Sequence, residues 1–159
     1  MAQVSIRVEG LGEVLKHLNR VAHLNDEVKS AVTQATGITE ATAKDLCPVD
    51  TGNLRSTIRM DVRAEREEII GRVFTACEYA MYVEFGTGII GELSNHPRAK
   101  KLGLSYANYP WTYTPDGGKT FYRTRGYVAQ PFMYRALKWN EANIKRIIIS
   151  AVERSVKNV

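Results

Sequence analysis

Val4, Ile6 and Val8 alternate with Gln3, Ser5 and Arg7 over residues 3–9, which predicts a half-buried strand. Leu11, Val14, Leu15, Leu18 and Val21 then recur at helical spacing and predict a short amphipathic helix. A long helix should follow. Asn25 is placed to cap its start, with Asp26 and Glu27 in the first turn, where the helix dipole favours carboxylates. Val28, Ala31, Val32, Ala35, Ile38 and Leu46 fall on one face of that helix. Gly37 and several threonines weaken it, so packing must supply much of its stability.

The stretch Pro48-Val49-Asp50-Thr51-Gly52-Asn53-Leu54-Arg55 is where this helix should stop and a strand begin. Cys47 precedes a proline and is pushed out of the helical region. Pro48 lacks an N–H and clashes with a continuing helix. Asp50 and Thr51 can cap a turn, and Gly52 can take a positive φ without steric cost. These residue types describe a structural corner, not a catalytic one.

Beyond the corner, Ile58, Met60 and Val62 alternate with Arg59, Asp61 and Arg63. Residues 64–68 are polar and can turn. Ile69, Val73 and Thr75 then share one face, and Ile70, Phe74 and Ala76 the other, completing an antiparallel hairpin. Residues 78–85 predict a short helix ending at Gly86-Thr87-Gly88. Residues 86–108 have no period and predict a long loop. Trp111-Thr112-Tyr113-Thr114, Pro115-Asp116-Gly117-Gly118 and the run from Lys119 to Arg123 predict a hairpin with aromatics placed for cross-strand pairs. Pro131 opens a final helix whose apolar stripe is Met133, Ala136, Leu137, Ile144, Ile147, Ile148, Ala151 and Val152, with Glu141 and Lys145 spaced to pair. The expected fold is α+β: a long helix and a C-terminal helix packed on a small antiparallel sheet. Residues 1–159 form one domain in this reading, with residues 86–128 as an extended, hairpin-bearing excursion.

Composition changes this picture little. At 159 residues, 44% hydrophobic and 25% charged, the chain can build one core. No apolar run is long enough to span a bilayer, and no secretory signal is expected from MAQVSIRVEG. Cys47 and Cys77 are far apart, outside any metal-like spacing, and are expected to be free thiols of a cytosolic chain. The net charge of +5 permits contact with nucleic acid or an acidic partner without requiring it.

Catalytic constellations are missing from the sequence. Gly117-Gly118-Lys119-Thr120 resembles the end of a phosphate-binding loop, but the leading glycine of that pattern is Tyr113, and a turn between strands is the expected structure. His17, His23 and His96 lack metal-ligand spacing, and no Gly-x-Ser-x-Gly elbow occurs. Glu78 and Glu84, six residues apart on a helix, point to different sides. No enzyme, cofactor or metal is expected. The excursion concentrates Tyr106, Tyr109, Trp111, Tyr113, Phe121, Tyr122 and Tyr127 with Arg98, Lys100, Lys101, Lys119, Arg123 and Arg125. The basic residues suit phosphates and the aromatics suit base stacking. Tyr, Trp, Phe and Arg also dominate protein interfaces, and that reading is preferred. Tyr109, Trp111, Tyr113, Phe121 and Tyr122 are the candidate subunit-interface residues, and the six basic residues the candidate DNA-facing ones.

Three pieces stand in order: residues 48–58, from Pro48 to Ile58; residues 79–87, from Tyr79 to Thr87; and residues 129–137, from Ala129 to Leu137. Together they resemble the gene-product-ten-like neck, or tail-completion, family of long-tailed bacteriophages, with order and spacing running through residues 10–157. The residues carrying the resemblance are Asp50, Thr51, Gly52 and Leu54 at the corner, Tyr79, Glu84, Phe85, Gly86 and Thr87 after the hairpin, and Pro131 and Phe132 at the last helix. The resemblance implies a structural virion protein of the head–tail junction, assembled in the host cytoplasm. It also implies rings of six or twelve copies, six favoured, that contact other neck and tail proteins and touch passing DNA non-specifically. It implies no catalytic residues and no membrane. The alternative is a sequence-independent nucleic-acid-binding protein of a mobile element. A small toxin-like or nuclease enzyme is disfavoured by the missing constellation.

Overall fold

The computed structural model describes residues 2–7, 22–65 and 68–157. The short helix expected over residues 11–21 lies outside them, as does the centre of the 64–68 turn. The described elements are β1 (Ala2–Arg7), α1 (Ala22–Leu46), α2 (Asn53–Thr57), β2 (Ile58–Glu65), β3 (Glu68–Thr75), α3 (Ala80–Phe85), α4 (Gly88–Leu93), β4 (Trp111–Tyr113), β5 (Tyr122–Thr124), β6 (Gly126–Tyr127) and α5 (Phe132–Lys157). The fold is α+β, as the alternating and helical patterns predict. The chain divides into two compact units, one of residues 2–76 with 132–159, the other of residues 77–131.

The first unit is built on a three-stranded antiparallel sheet in the order β1-β3-β2. On β3, Ile69, Gly71, Val73 and Thr75 are buried and their neighbours half-buried, the alternation read from sequence. Helix α1 covers this face, with Val28 and Val32 packed on Ile69 and Val62. Helix α5 runs antiparallel to α1. Ile144 meets Ala35, and Ile148 and Val152 join the cluster around Val28 and Val32. Two hydrogen bonds register the helix pair: Ser155 Oγ to Glu27 Oε2 at 2.8 Å, and Asn140 Nδ2 to Thr42 Oγ1 at 2.9 Å.

The buried stripe of α1 differs from the one expected. Thr36, Thr39 and Ala43 are buried, while Ile38 and Leu46 are only half-buried. The threonines enter the core because each hydroxyl donates to a carbonyl one turn back, Thr36 to Val32 at 2.6 Å and Thr39 to Ala35 at 2.9 Å. Helix α1 also begins at Ala22, so Asn25 lies inside it and is not the cap. At Gly71 the helix comes so close to β3 that a Cβ would collide with Thr36 Oγ1 and approach Val32 Cγ1 to 3.1 Å.

The corner stops α1 at Leu46, as Pro48 requires. A one-turn helix, α2, then intervenes before the strand, a correction to the direct helix-to-strand passage expected. Gly52 starts it at φ 83°, ψ −4°, a left-handed conformation, and the buried Leu54 anchors it. Thr51 Oγ1 accepts from Asn53 N–H at a long 3.5 Å, so the cap is weak and the glycine carries the turn. Across β2 and β3 the register pairs Asp61 with Arg72, and the guanidinium grips the carboxylate at 2.9 and 2.5 Å. That hydrogen bonding holds the Asp61 pKa below its usual value.

Gly71→Ala is expected to destabilise the protein by about 1–3 kcal/mol through overpacking. In a Gly71→Ala/Thr36→Ala double variant, part of that loss should return, giving a coupling energy of about 1 kcal/mol in thermal unfolding. Gly52→Ala has open space around its Cβ. It should therefore lose only about 1 kcal/mol, from backbone strain, and Gly52→Asn should lose less.

Candidate functional site

The second unit is organised by Glu84-Phe85-Gly86-Thr87, the end of α3 and the residues after it. Each residue of this run holds a different part of the unit. The Glu84 carboxylate is buried and lies 3.3 Å from His96 Nε2. The His96 ring sits on the Phe85 ring, with centroids 4.3 Å apart. His96 Nδ1 accepts the Arg98 N–H at 3.1 Å, so that nitrogen carries no proton. The imidazole is therefore neutral, with Nε2–H donating to Glu84 Oε1, and the contact is a hydrogen bond from a neutral ring rather than an ion pair. Burial, aided by the Arg98 charge, pushes the His96 pKa below its ordinary value, in the same sense. The Phe85 carbonyl accepts from Tyr106 Oη at 3.0 Å. Burial, and then the nearby Glu92 charge, raise the Tyr106 pKa.

Gly86 and Thr87 bind the returning end of the excursion. Thr87 Oγ1 accepts the Tyr127 N–H at 3.1 Å, and β6 bridges Thr87 and Gly88 antiparallel. Ile90 N–H donates to the Arg125 carbonyl at 3.2 Å, Ala129 N–H to Ser94 Oγ at 3.0 Å, and Gln130 N–H to the Val83 carbonyl at 2.8 Å. The strands cross too closely for side chains. A Cβ at Gly86, where φ is 73°, would lie 2.6 Å from the Tyr127 carbonyl oxygen, and one at Gly126, where φ is 106°, would collide with the Thr87 carbonyl.

Residues 86–108 are thus not the structureless loop their lack of period suggests. Gly88–Leu93 is a helix, His96 is buried, and backbone turns run on to Gly103. The unit is packed through glycines and main-chain bonds, which leave no hydrophobic period to read. Gly91 and Gly126 escaped the sequence reading, and Gly88, His96 and Tyr106 entered it only as a helix end, a histidine without metal-ligand spacing and one of the excursion's aromatics. The only available signal was the density of glycines around position 88.

The hairpin forms as expected, with Trp111 opposite Thr124 and Tyr113 opposite Tyr122. The two tyrosine rings lie 5.8 Å apart, and Tyr113 Oη bonds Tyr127 Oη at 3.1 Å. Its tip is an eight-residue loop, longer than a Pro-Asp-Gly-Gly turn alone. Asp116 Oδ1 accepts Thr114 Oγ1–H at 2.9 Å, Lys119 N–H at 3.0 Å and Thr120 N–H at 2.8 Å. These bonds, those from Thr120 foremost, bring the Asp116 pKa down to about 2. Gly117-Gly118-Lys119-Thr120 is part of this exposed tip, between two strands rather than between strand and helix.

Of the candidate interface residues, Tyr109 and Phe121 are 65% and 68% exposed, and Tyr113 and Tyr122 are exposed as well. Trp111 is half-buried: a Cβ at Gly88 would lie 2.6 Å from its ring, so it belongs to the unit's own packing. With Met81, Tyr82, Phe85, Leu104 and Tyr106 it lines an apolar recess of about 310 Å³. Arg98, Lys100, Lys101, Lys119, Arg123 and Arg125 are all exposed. Asp50, Thr51 and Tyr79 are exposed, whereas Leu54, Pro131 and Phe132 are buried at element starts. Among the described residues no group of three or more His, Cys, Asp or Glu could hold a metal ion, and no helix is long and apolar enough to cross a membrane.

His96 binds a proton less readily folded than unfolded. Its contribution to stability is complete above its unfolded pKa and declines as pH falls from there toward the folded value. The thermal midpoint is expected to drop below about pH 6.5. His96→Asn should start lower at neutral pH and show a flatter dependence through that range.

Residues 12–86 match a family described as "Bacteriophage HK97-gp10, putative tail-component". The corner and the run through Gly86 lie inside the match, and the Ala129–Leu137 piece lies outside it. No curated protein and no solved structure matches the chain. Over residues 12–86, just under half of its 159 residues, the chain is similar to this phage tail-component family.

Proposed function

We propose that this protein is a structural component of the phage head–tail junction that assembles as a ring, six copies favoured over twelve, joins tail to head and lets DNA pass. The observation that carries the reading is the aromatic hairpin. Tyr109, Phe121 and Tyr122 stand exposed on a unit whose backbone is pinned at the Glu84–Thr87 junction. Exposed aromatics on a rigid support are typical association anchors. The same unit offers the apolar recess beside Trp111. One chain thus carries both a projecting and a receiving surface, as a head-to-tail interface repeated around an axis requires. The corner and the helix–sheet unit act as the frame, and the partners are neighbouring copies and other neck and tail proteins. The six exposed basic residues of the excursion support non-specific contact with passing DNA, and equally the alternative of a nucleic-acid-binding protein.

The test is a Phe121→Ser/Tyr122→Ser variant, followed by light scattering and by complementation during phage growth. Truncating one anchor typically costs about 2–4 kcal/mol of association. Wild-type protein should give a ring mass. The variant should fall to monomer with unchanged circular dichroism, and its lysates should hold filled heads and separate tails. A monomeric wild type at assembly concentrations, or normal yields of infectious particles from the variant, would sink the reading.

A further inference from the structure

A second basic surface lies in the helix–sheet unit, on cations not singled out in the sequence. Gln34 of α1 and Arg146, Ile147, Ser150, Glu153, Arg154 and Lys157 of α5 line a shallow groove of about 370 Å³. Arg146, Ser150, Arg154 and Lys157 follow one another at four-, four- and three-residue spacing, which places them along one stripe of the helix. At 1.5 Å per residue the outer cations stand about 12 and 16 Å from Arg146 along the axis. Arg146 donates to Asn143 Oδ1 at 2.9 Å, and among the described residues no carboxylate forms an ion pair with Arg146, Arg154 or Lys157. Lys138 and Lys145 on the same helix are instead held by Glu141, at 2.7 and 3.0 Å. Glu153 is the one carboxylate in the groove, against three cations.

We infer that this groove is a phosphodiester-backbone site, taking duplex DNA without regard to sequence. The charge complementarity is direct: three cations spread along a helix oppose a line of phosphates. Gln34 and Ser150 offer neutral donors between them. The arginines present planar forks suited to phosphate oxygens. Nothing in the groove is arranged to read base edges in a fixed register, so affinity should come from counterion release. The inference rests on the head–tail reading only in that DNA passes the assembly, and it adds a contact separate from the basic excursion.

The experiment uses the full-length protein and a labelled 30-base-pair duplex, with fluorescence anisotropy across a salt series. In Arg146→Gln/Arg154→Gln/Lys157→Gln the slope of log K against log salt should fall by about 2.7, three contacts at about 0.9 each. A Lys138→Gln/Lys145→Gln variant, whose lysines are already engaged by Glu141, should change the slope by less than about 1. Unaltered circular dichroism of both variants checks folding, which these exposed positions should not disturb. The proposal is overturned by an unchanged slope in the triple variant, or by an equal loss in the lysine control. Tighter binding to poly-glutamate than to the duplex would also overturn it, and would mark the groove as a seat for an acidic protein segment. Light scattering on the same samples separates the two readings. A monomer with the expected slope keeps the groove and removes the ring, and a ring indifferent to the triple variant does the reverse.

Discussion

Helix α1 lies so close to the central strand that position 71 has no room for a side chain, and the helix–sheet unit depends on that approach. Thr36 fills the space over Gly71 while its hydroxyl is satisfied by the Val32 carbonyl, so a polar residue enters the core at no cost in unpaired groups. Val28 and Val32 can then reach Ile69, and Ile148 and Val152 of α5 close over them. A wider spacing would leave voids along the whole contact, because interiors of this kind tolerate few gaps.

The second unit obeys a related constraint by other means. Its chain runs out from Gly86 and returns at Gly126, and the two passes are joined by main-chain bonds that only glycines permit. The buried Glu84–His96 hydrogen bond and the Phe85–His96 ring contact lock the outgoing pass. Tyr106 ties in the middle. The aromatic hairpin is consequently presented from a fixed base. A presented surface of that kind loses little conformational freedom on any association.

Charge is distributed with the same economy. The strand pair uses Asp61 and Arg72 against each other, and the outer face of α5 uses Glu141 to hold two lysines. Among the described residues, the six cations of the excursion and the three of the α1–α5 groove have no carboxylate partner, and neither do Lys29, Arg59 and Arg135. An excess of positive charge concentrated on two surfaces can meet a polyanion, whereas the same charge spread evenly would only aid solubility.

Much of the first unit was legible in the chain itself. Two-residue alternation named β1, β2 and β3 and the buried face of β3, helical spacing named α1 and α5, and Pro48 with Gly52 placed the corner. These are local signals, set by the pleat of a strand, the pitch of a helix and the backbone limits of proline and glycine. The piece from Pro48, and the piece from Tyr79 as far as Gly86, lie within the residues similar to the phage tail-component family. What the sequence could not display was which residues would meet at a distance. Thr36 and Thr39 became core residues because their hydroxyls found helix carbonyls. Residues 86–108 became an ordered unit because their glycines allow backbone to pack on backbone. His96 became a buried, neutral partner of Glu84 from twelve residues away. Packing through main-chain contacts leaves no side-chain period, so only the tertiary structure could decide it, and with it which aromatics and cations remain on the surface.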